Sequence, residues 1–236
     1  MKKILILGGS SDIGVNLIKK LIKKNFFIYA HYSKNSKKLK KIKNKKIKTI
    51  CLDFNQINSK NINAFLKKKF QFNYDIIINL VGYVDKKGFE NTSLDTMLNS
   101  IKNNALIPML IIKKNSKYML SKLSGRILNC SSIGVKFGGG ISSFNYSLSK
   151  HCLEFIPNIY KQWAKKNVLI NNIRIGVTDT KIHKKIKNKK EIRERIKLIP
   201  LGRIAKVDEI SNFILSLIDE KNSYTTNQTF SISGGE

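Results

Sequence analysis

The sequence predicts an α/β fold, a single domain over residues 1–236 built on a doubly wound, seven-stranded parallel sheet. Two observations carry this expectation: short apolar runs alternate with longer segments of helical periodicity, and a glycine-rich turn joins the first run to the first helix. The runs are ILIL (4–7), FFIYA (26–30), TICL (49–52), DIIINLVG (75–82), RILNCSS (126–132), VLINNIRIG (168–176) and TFSISGG (229–235). Runs that are apolar almost throughout are those of strands covered on both faces, which is the condition of a parallel sheet. A chain of 236 residues that is 42% hydrophobic has enough apolar surface for one large core, and no second domain is required.

The first run ends in LGGSSDIG, with Gly8, Gly9 and Gly14 at the turn into an amphipathic helix from about Ile13 to Lys24. Residues 34–48 carry nine Lys and no acid and read as a solvated helix and loop. A long helix is expected from Tyr146 to about Lys166. Residues 177–205 interrupt the alternation and read as an excursion over the C-terminal edge of the sheet. There is no internal repeat or linker.

The formal charge of +30 is almost all Lys, accompanied by abundant Ile and Asn, the composition of an AT-rich coding sequence. No nucleic-acid recognition module accompanies it, so no specific nucleic-acid partner is expected. The three Cys (Cys51, Cys130, Cys152) are widely spaced without a CxxC pair, which argues against a disulfide framework or a zinc site and for a reducing cytoplasm. MKKILILG is too short for a secretion signal and reads as a buried first strand; no stretch reaches membrane-spanning length.

A glycine-rich turn that follows the first strand and opens the first helix lets the backbone approach a pyrophosphate at the positive helix end. Here the chain resembles the short-chain dehydrogenase/reductase family, whose turn is Thr-Gly-x-x-x-Gly-Ile-Gly. Gly8 and Gly14 fall on its first and last glycines, Leu7 replaces the Thr and Asp12 the middle Gly, where Asp is suited to cap a helix. Asn79 and Gly82 in NLVG match the family's Asn-Asn-Ala-Gly, and the resemblance extends to SISGGE at the C-terminus. It implies a Rossmann-type domain whose cofactor is held by Gly8, Ser10, Ser11, Asp12, Ile13, Gly14, Asp53, Asn79 and Gly82, with Asp53 toward the adenine. An NAD site places an acid near the end of the second strand. Between Asp12 and Asp53 there is no Asp or Glu; the position falls on Tyr32, followed by Ser33 and Lys34, which suit a 2′-phosphate, so NADP(H) is the expected cofactor.

Tyr-x-x-x-Lys occurs three times, at Tyr83/Lys87, Tyr118/Lys122 and Tyr146/Lys150. Only the third follows a strand ending in NCSS, and its spacing puts both residues on one helical face. The resemblance then implies Ser132 as the catalytic Ser, with Ser131 its rival. It makes Tyr146 the acid/base and Lys150 its partner and ribose contact, and Asn104, with Asn103 its rival, a helix Asn holding a water that links Lys150 to solvent. It also brings Val177 and Thr180 to the nicotinamide, in RIGVTDT, where Ile175 stands in place of the family Pro, and makes 177–205 a substrate lid. Residues 181–203 hold ten Lys or Arg against two Glu, including Arg193, Arg195 and Arg203, the pattern of a face that meets an anion.

The expected function is NADPH-dependent reduction of a carbonyl to an alcohol, nearest in pattern to β-ketoacyl-acyl-carrier-protein reductases, by a homo-oligomer (dimer or tetramer). Two alternatives stay open: a family member acting on a sugar or nucleotide-sugar in surface polysaccharide synthesis, and a non-catalytic cofactor-sensing or basic binding protein on the same fold.

Overall fold

The computed structural model describes residues 1–180 and 189–236. Seven parallel strands form one sheet: β1 (Lys2–Leu7), β2 (Phe26–Tyr32), β3 (Ile47–Cys51), β4 (Ile76–Asn79), β5 (Gly125–Ser132), β6 (Val168–Ile175) and β7 (Thr229–Ile232). Their order is β3-β2-β1-β4-β5-β6-β7. Each expected run overlaps one of these strands. The order reverses direction between β1 and β4, and the crevice at such a reversal, at the C-terminal ends of the strands, is where open α/β sheets bind ligands.

Strand alternation splits the core into two layers. Leu5 and Leu7 face one side with Leu66, Phe70, Ile111, Met119 and Trp163. These come from α3 (Ile62–Lys69), α5 (Ile107–Ser121), α7 (Ile159–Ala164) and the segments beside them. Ile4 and Ile6 face the other with α1 (Asp12–Ile22) and the helix Val207–Ile218, through Leu17, Leu21, Ile210 and Ile214. Each such fully buried side chain contributes roughly 1.5–3 kcal/mol, so both layers stabilise the sheet between its helices.

The expected helix from Tyr146 to Lys166 is two helices. α6 (Phe144–Leu153) stops at Glu154, and α7 begins only after Pro157. Proline has no N–H to continue the helix and pushes the residue before it to extended backbone, so the chain turns there. The lysine-rich stretch folds as the single turn α2 (Lys37–Lys40), with Leu39 the buried anchor. The excursion after β6 is closed at its base by a parallel bridge between Thr178 and Ala205: Ala205 N–H donates to Val177 O at 2.9 Å and Asp179 N–H to Ala205 O at 2.9 Å. Its later part is α8 (Lys189–Lys197); most of the expected lid's first half, 181–188, lies outside the described residues. The helix Val207–Ile218 is α9. Ile175 stays in the ladder, paired with Ser132 and Ile232, so the residue that replaces the family Pro extends β6. Among the described residues no helix is long and apolar enough to cross a membrane.

Candidate active site

The turn after β1 is shaped for close backbone approach. Gly8 has φ +74°, and a Cβ there would lie 2.8 Å from Leu80 O, so the β1 turn and the chain leaving β4 pack backbone to backbone. A Cβ on Gly14 would lie 2.7 Å from Gly9 O. The helix cap is Ser11, whose hydroxyl accepts from Gly14 N–H at 3.1 Å. Asp12, expected as a cap, is instead in the first turn, where the helix dipole favours its charge, and forms an ion pair with Lys38. With Ser10 in the turn and Ile13 packed on the core, α1 offers its N-terminal amides at the sheet crevice.

His31 is a member of this site that the sequence reading missed. It is 3% exposed, stacks on Phe54 at 4.6 Å, and accepts Gly8 N–H on Nδ1 at 3.3 Å. Because Nδ1 is an acceptor, Nε2 carries the proton and donates to Leu52 O at 2.8 Å. Burial pushes its pKa down to about 4, so the ring is neutral and ties the ends of β1, β2 and β3 together. Its signal was a polar residue in an otherwise apolar run, FFIYAHY.

Beyond β2, Ser33 and Lys34 converge on Asp53. Lys34 Nζ lies 3.4 Å from the Asp53 carboxylate. Burial raises the Asp53 pKa, but hydrogen bonds from Asn55, Ser33 and Lys34 outweigh it and hold the carboxyl below its ordinary range. Three residues expected at the adenosine end thus form one cluster beside the glycine turn.

At the other end, Tyr146 and Lys150 lie on α6, one turn apart. Lys150 is 1% exposed; its Nζ donates to Cys130 O at 2.6 Å and Val81 O at 2.7 Å and lies 5.7 Å from the centre of the Tyr146 ring. Burial lowers the Lys150 pKa to about 8 against the favourable field of Glu154. Burial likewise raises the Tyr146 phenol to about 12, with a hydrogen bond from Ser132 acting in the opposite direction. The buried Cys130 thiol is itself pushed up to about 12, so near neutral pH it is an uncharged neighbour.

The rivals separate by strand alternation and helix geometry. Ser132 is partly exposed beside Tyr146, whereas Ser131 is 4% exposed and its hydroxyl donates to Lys150 O at 3.5 Å. Asn103 and Asn104 sit in a π-helical turn, Lys102–Leu106, between α4 (Leu94–Ile101) and α5. Asn103 points to Asn55 and Asn99. Asn104 faces the site: it accepts Tyr83 N–H at 2.7 Å and donates to Tyr83 O and to Ser149 Oγ, both at 2.8 Å. Its amide clamps the loop after β4 onto α6, and a Cβ built on Gly82 in that loop would come 4.0 Å from the Tyr146 hydroxyl. Asn79 accepts Val81 N–H at 3.1 Å, shaping the same loop. Val177 and Thr180 follow β6, whose last residue, Ile175, pairs with Ser132; Thr180 Oγ1 donates to Thr178 O at 3.3 Å. The other two Tyr-x-x-x-Lys pairs lie elsewhere: Tyr118 bonds Asp75 before β4, and Tyr83 contributes its backbone, with its hydroxyl accepting from Asn99.

A glycine turn on a helix N-terminus at the switch point, a polar cluster beyond it and a Ser–Tyr–Lys group across the crevice fit a nicotinamide dinucleotide. A family model described as enoyl-(acyl carrier protein) reductase matches residues 10–236. The chain belongs to the short-chain dehydrogenase/reductase family. It is an oxidoreductase of that family, whose members use a nicotinamide cofactor. It is 30% identical over 193 residues to the 3-oxoacyl-[acyl-carrier-protein] reductase FabG of Aquifex aeolicus, covering 80% of this chain and 77% of that one. It is 29% identical over 236 residues to FabG of Buchnera aphidicola subsp. Schizaphis graminum, covering 99% and 87%. Among solved structures, 4-hydroxyisoleucine dehydrogenase complexed with NADH superposes with a TM-score of 0.86 at 25% identity, covering 100% of this chain and 98% of that one. The NADPH-dependent reductase YwfH, at 22% identity and a TM-score of 0.85 over 99% and 97%, shares the fold.

Proposed function

We propose that the protein is an NADPH-dependent reductase of a β-ketoacyl thioester, with Tyr146 as proton donor. The observation that carries this reading is the Tyr146 ring set over the buried Lys150 ammonium, 5.7 Å from Nζ to the ring centre, with Ser132 beside the phenol. Gly8, Ser11, Asp12, Ile13 and Gly14 hold the cofactor's pyrophosphate, Ser10 and Asn79 support the turns around it, and Ser33 and Lys34 receive a 2′-phosphate that displaces them from Asp53. The bound cofactor supplies hydride. Ser132 donates to the carbonyl oxygen and orients it, and Tyr146 delivers its phenolic proton to that oxygen as negative charge develops there. Lys150 stabilises the phenolate left behind and Asn104 keeps the loop bearing Gly82 in register with α6. Gly82, Val177 and Thr180 border the nicotinamide.

The substrate class follows the FabG relatives and the acetoacetyl-CoA reductase of Acinetobacter sp. (strain RA3849), 29% identical over 164 residues. We read the protein as a homo-oligomer, since Leu94 and Leu98, one turn apart on α4, are 70% and 52% exposed. The test is oxidation of NADPH and of NADH in the presence of acetoacetyl-CoA. Turnover with NADPH at least tenfold above NADH supports the reading; a preference for NADH, or no turnover with either, overturns it.

A further inference from the structure

Three apolar strands each carry a buried asparagine at the same register. Asn79 on β4 pairs with Asn129 on β5, which pairs with Asn172 on β6. Their side chains join into a ladder across the sheet: Asn79 Nδ2 donates to Asn129 Oδ1 at 3.3 Å, and Asn129 Nδ2 to Asn172 Oδ1 at 3.2 Å. Asn172 Nδ2 continues to Glu154 O at 3.1 Å and to Thr229 Oγ1, on β7, at 3.3 Å. All three are at most 3% exposed. A buried carboxamide must be bonded to be tolerated, whereas apolar residues of the same shape at all three positions would serve stability about as well. Stability alone therefore does not call for this arrangement.

Each rung leads to Lys150. Asn79 accepts the N–H of Val81, whose carbonyl takes one of the two short bonds from Lys150 Nζ. Asn129 immediately precedes Cys130, whose carbonyl takes the other. Asn172 holds the Glu154 carbonyl at the end of α6, and Glu154 N–H donates back to Lys150 O at 3.2 Å. The ladder thus connects both acceptors of the ammonium and the helix that bears it.

We propose that Asn129 and Asn172, with Asn79, are positioning residues for Lys150, fixing the two carbonyls and the end of α6 so that the ammonium stays charged and aimed beneath Tyr146. This inference rests on the reading of Tyr146 and Lys150 given above. The charged and titratable groups facing Lys150 are Tyr146 and Glu154 on its own helix and the Cys130 thiol on β5; Glu154 is in turn paired with Arg174 on β6 at 2.7 Å. Loosening the carbonyls favours the neutral amine, so Lys150 loses its proton at lower pH.

The experiment compares Asn129→Leu, Asn172→Ser and Tyr146→Phe with the unaltered protein, measuring folding, NADPH affinity, and kcat and KM with acetoacetyl-CoA across pH. The expected result is a tenfold or greater fall in kcat for Asn129→Leu. Its cofactor affinity should stay within threefold, and the alkaline limb of its kcat profile should move at least half a unit toward acid. Asn172→Ser, which keeps a hydroxyl but is too short to span to Glu154, shows the same shift if Asn129→Leu does not fold. Ladder variants with unchanged kcat and pH profile beside an inactive Tyr146→Phe overturn the ladder's role alone. A Tyr146→Phe that turns over normally overturns the functional reading and this inference with it.

Discussion

Lys150 Nζ lies 5.7 Å from the centre of the Tyr146 ring, while its short hydrogen bonds go to the carbonyls of Val81 and Cys130. The lysine therefore acts on the phenol through its field, with its own position set by backbone. In the cofactor-free protein burial outweighs the opposing effect of Ser132 and leaves the phenol at about 12. Binding of oxidised NADP⁺ adds a second positive charge beside it, so the phenol ionises at lower pH. Ultraviolet difference titration, with Tyr146→Phe as the reference, should show one tyrosine moving down by a unit or more when NADP⁺ is added; no movement would contradict the field argument.

His31 makes the fold sensitive to acid. Its folded-state pKa, about 4, lies below the ordinary value of 6.5, so only the unfolded chain binds the proton between those values. Stability is fully present above about pH 6.5 and falls as pH drops toward 4, by at most about 3 kcal/mol for that difference in pKa. His31→Phe should lower stability at pH 7 by roughly 1–3 kcal/mol, because Gly8 N–H and Leu52 O lose their partners, and should remove this part of the pH dependence. Urea unfolding at several pH values checks both statements.

Replacing Ser33 and Lys34 together by Ala should weaken NADPH binding tenfold or more, since a charge-assisted hydrogen bond contributes roughly 1.5–3 kcal/mol. NADH binding should be unchanged. Fluorescence titration of both cofactors decides, and equal losses for the two would place the 2′-phosphate elsewhere.

The basic segment 181–203 offers fewer free charges than its composition indicates. Arg195 pairs with Glu236 and lies over Phe137, and Arg203 is bidentate to Glu209 at 2.7 and 2.9 Å. Arg193 is exposed. Arg193→Gln should raise KM for an acyl-carrier-bound substrate severalfold and flatten its salt dependence, with KM for a small neutral ketone unchanged. Equal effects on both substrates would mean that the charge is surface composition.

The strands and the glycine turn were legible because parallel strands buried on both faces leave an unmistakable run of apolar residues. The pairing of Tyr146 with Lys150 on one helical face was legible only from context, because the same spacing occurs at two other places and the NCSS strand upstream singles this one out. Pro157 was overlooked as the residue that divides the expected long helix, although its missing N–H and the restraint on Ile156 are local facts of sequence. His31, Asn129 and Asn172 went unread for a different reason: each is a polar residue in a largely apolar strand, and its meaning lies in partners 18 to 57 residues away. Asn104 was suggested by the family resemblance, but its grip on Tyr83 depends on a π turn that no periodicity announces.

The central claim is that the Tyr146 phenol delivers the proton during nicotinamide-dependent carbonyl reduction. Steady-state turnover of acetoacetyl-CoA with NADPH by Tyr146→Phe, alongside Tyr83→Phe and Tyr118→Phe, tests it most directly. The account predicts that Tyr146→Phe loses at least a hundredfold in kcat, the low end of what a positioned proton donor contributes, while NADPH affinity stays within threefold and the other two variants remain active. Near-normal turnover by Tyr146→Phe, or loss of activity in a folded Tyr83→Phe or Tyr118→Phe alone, would contradict it.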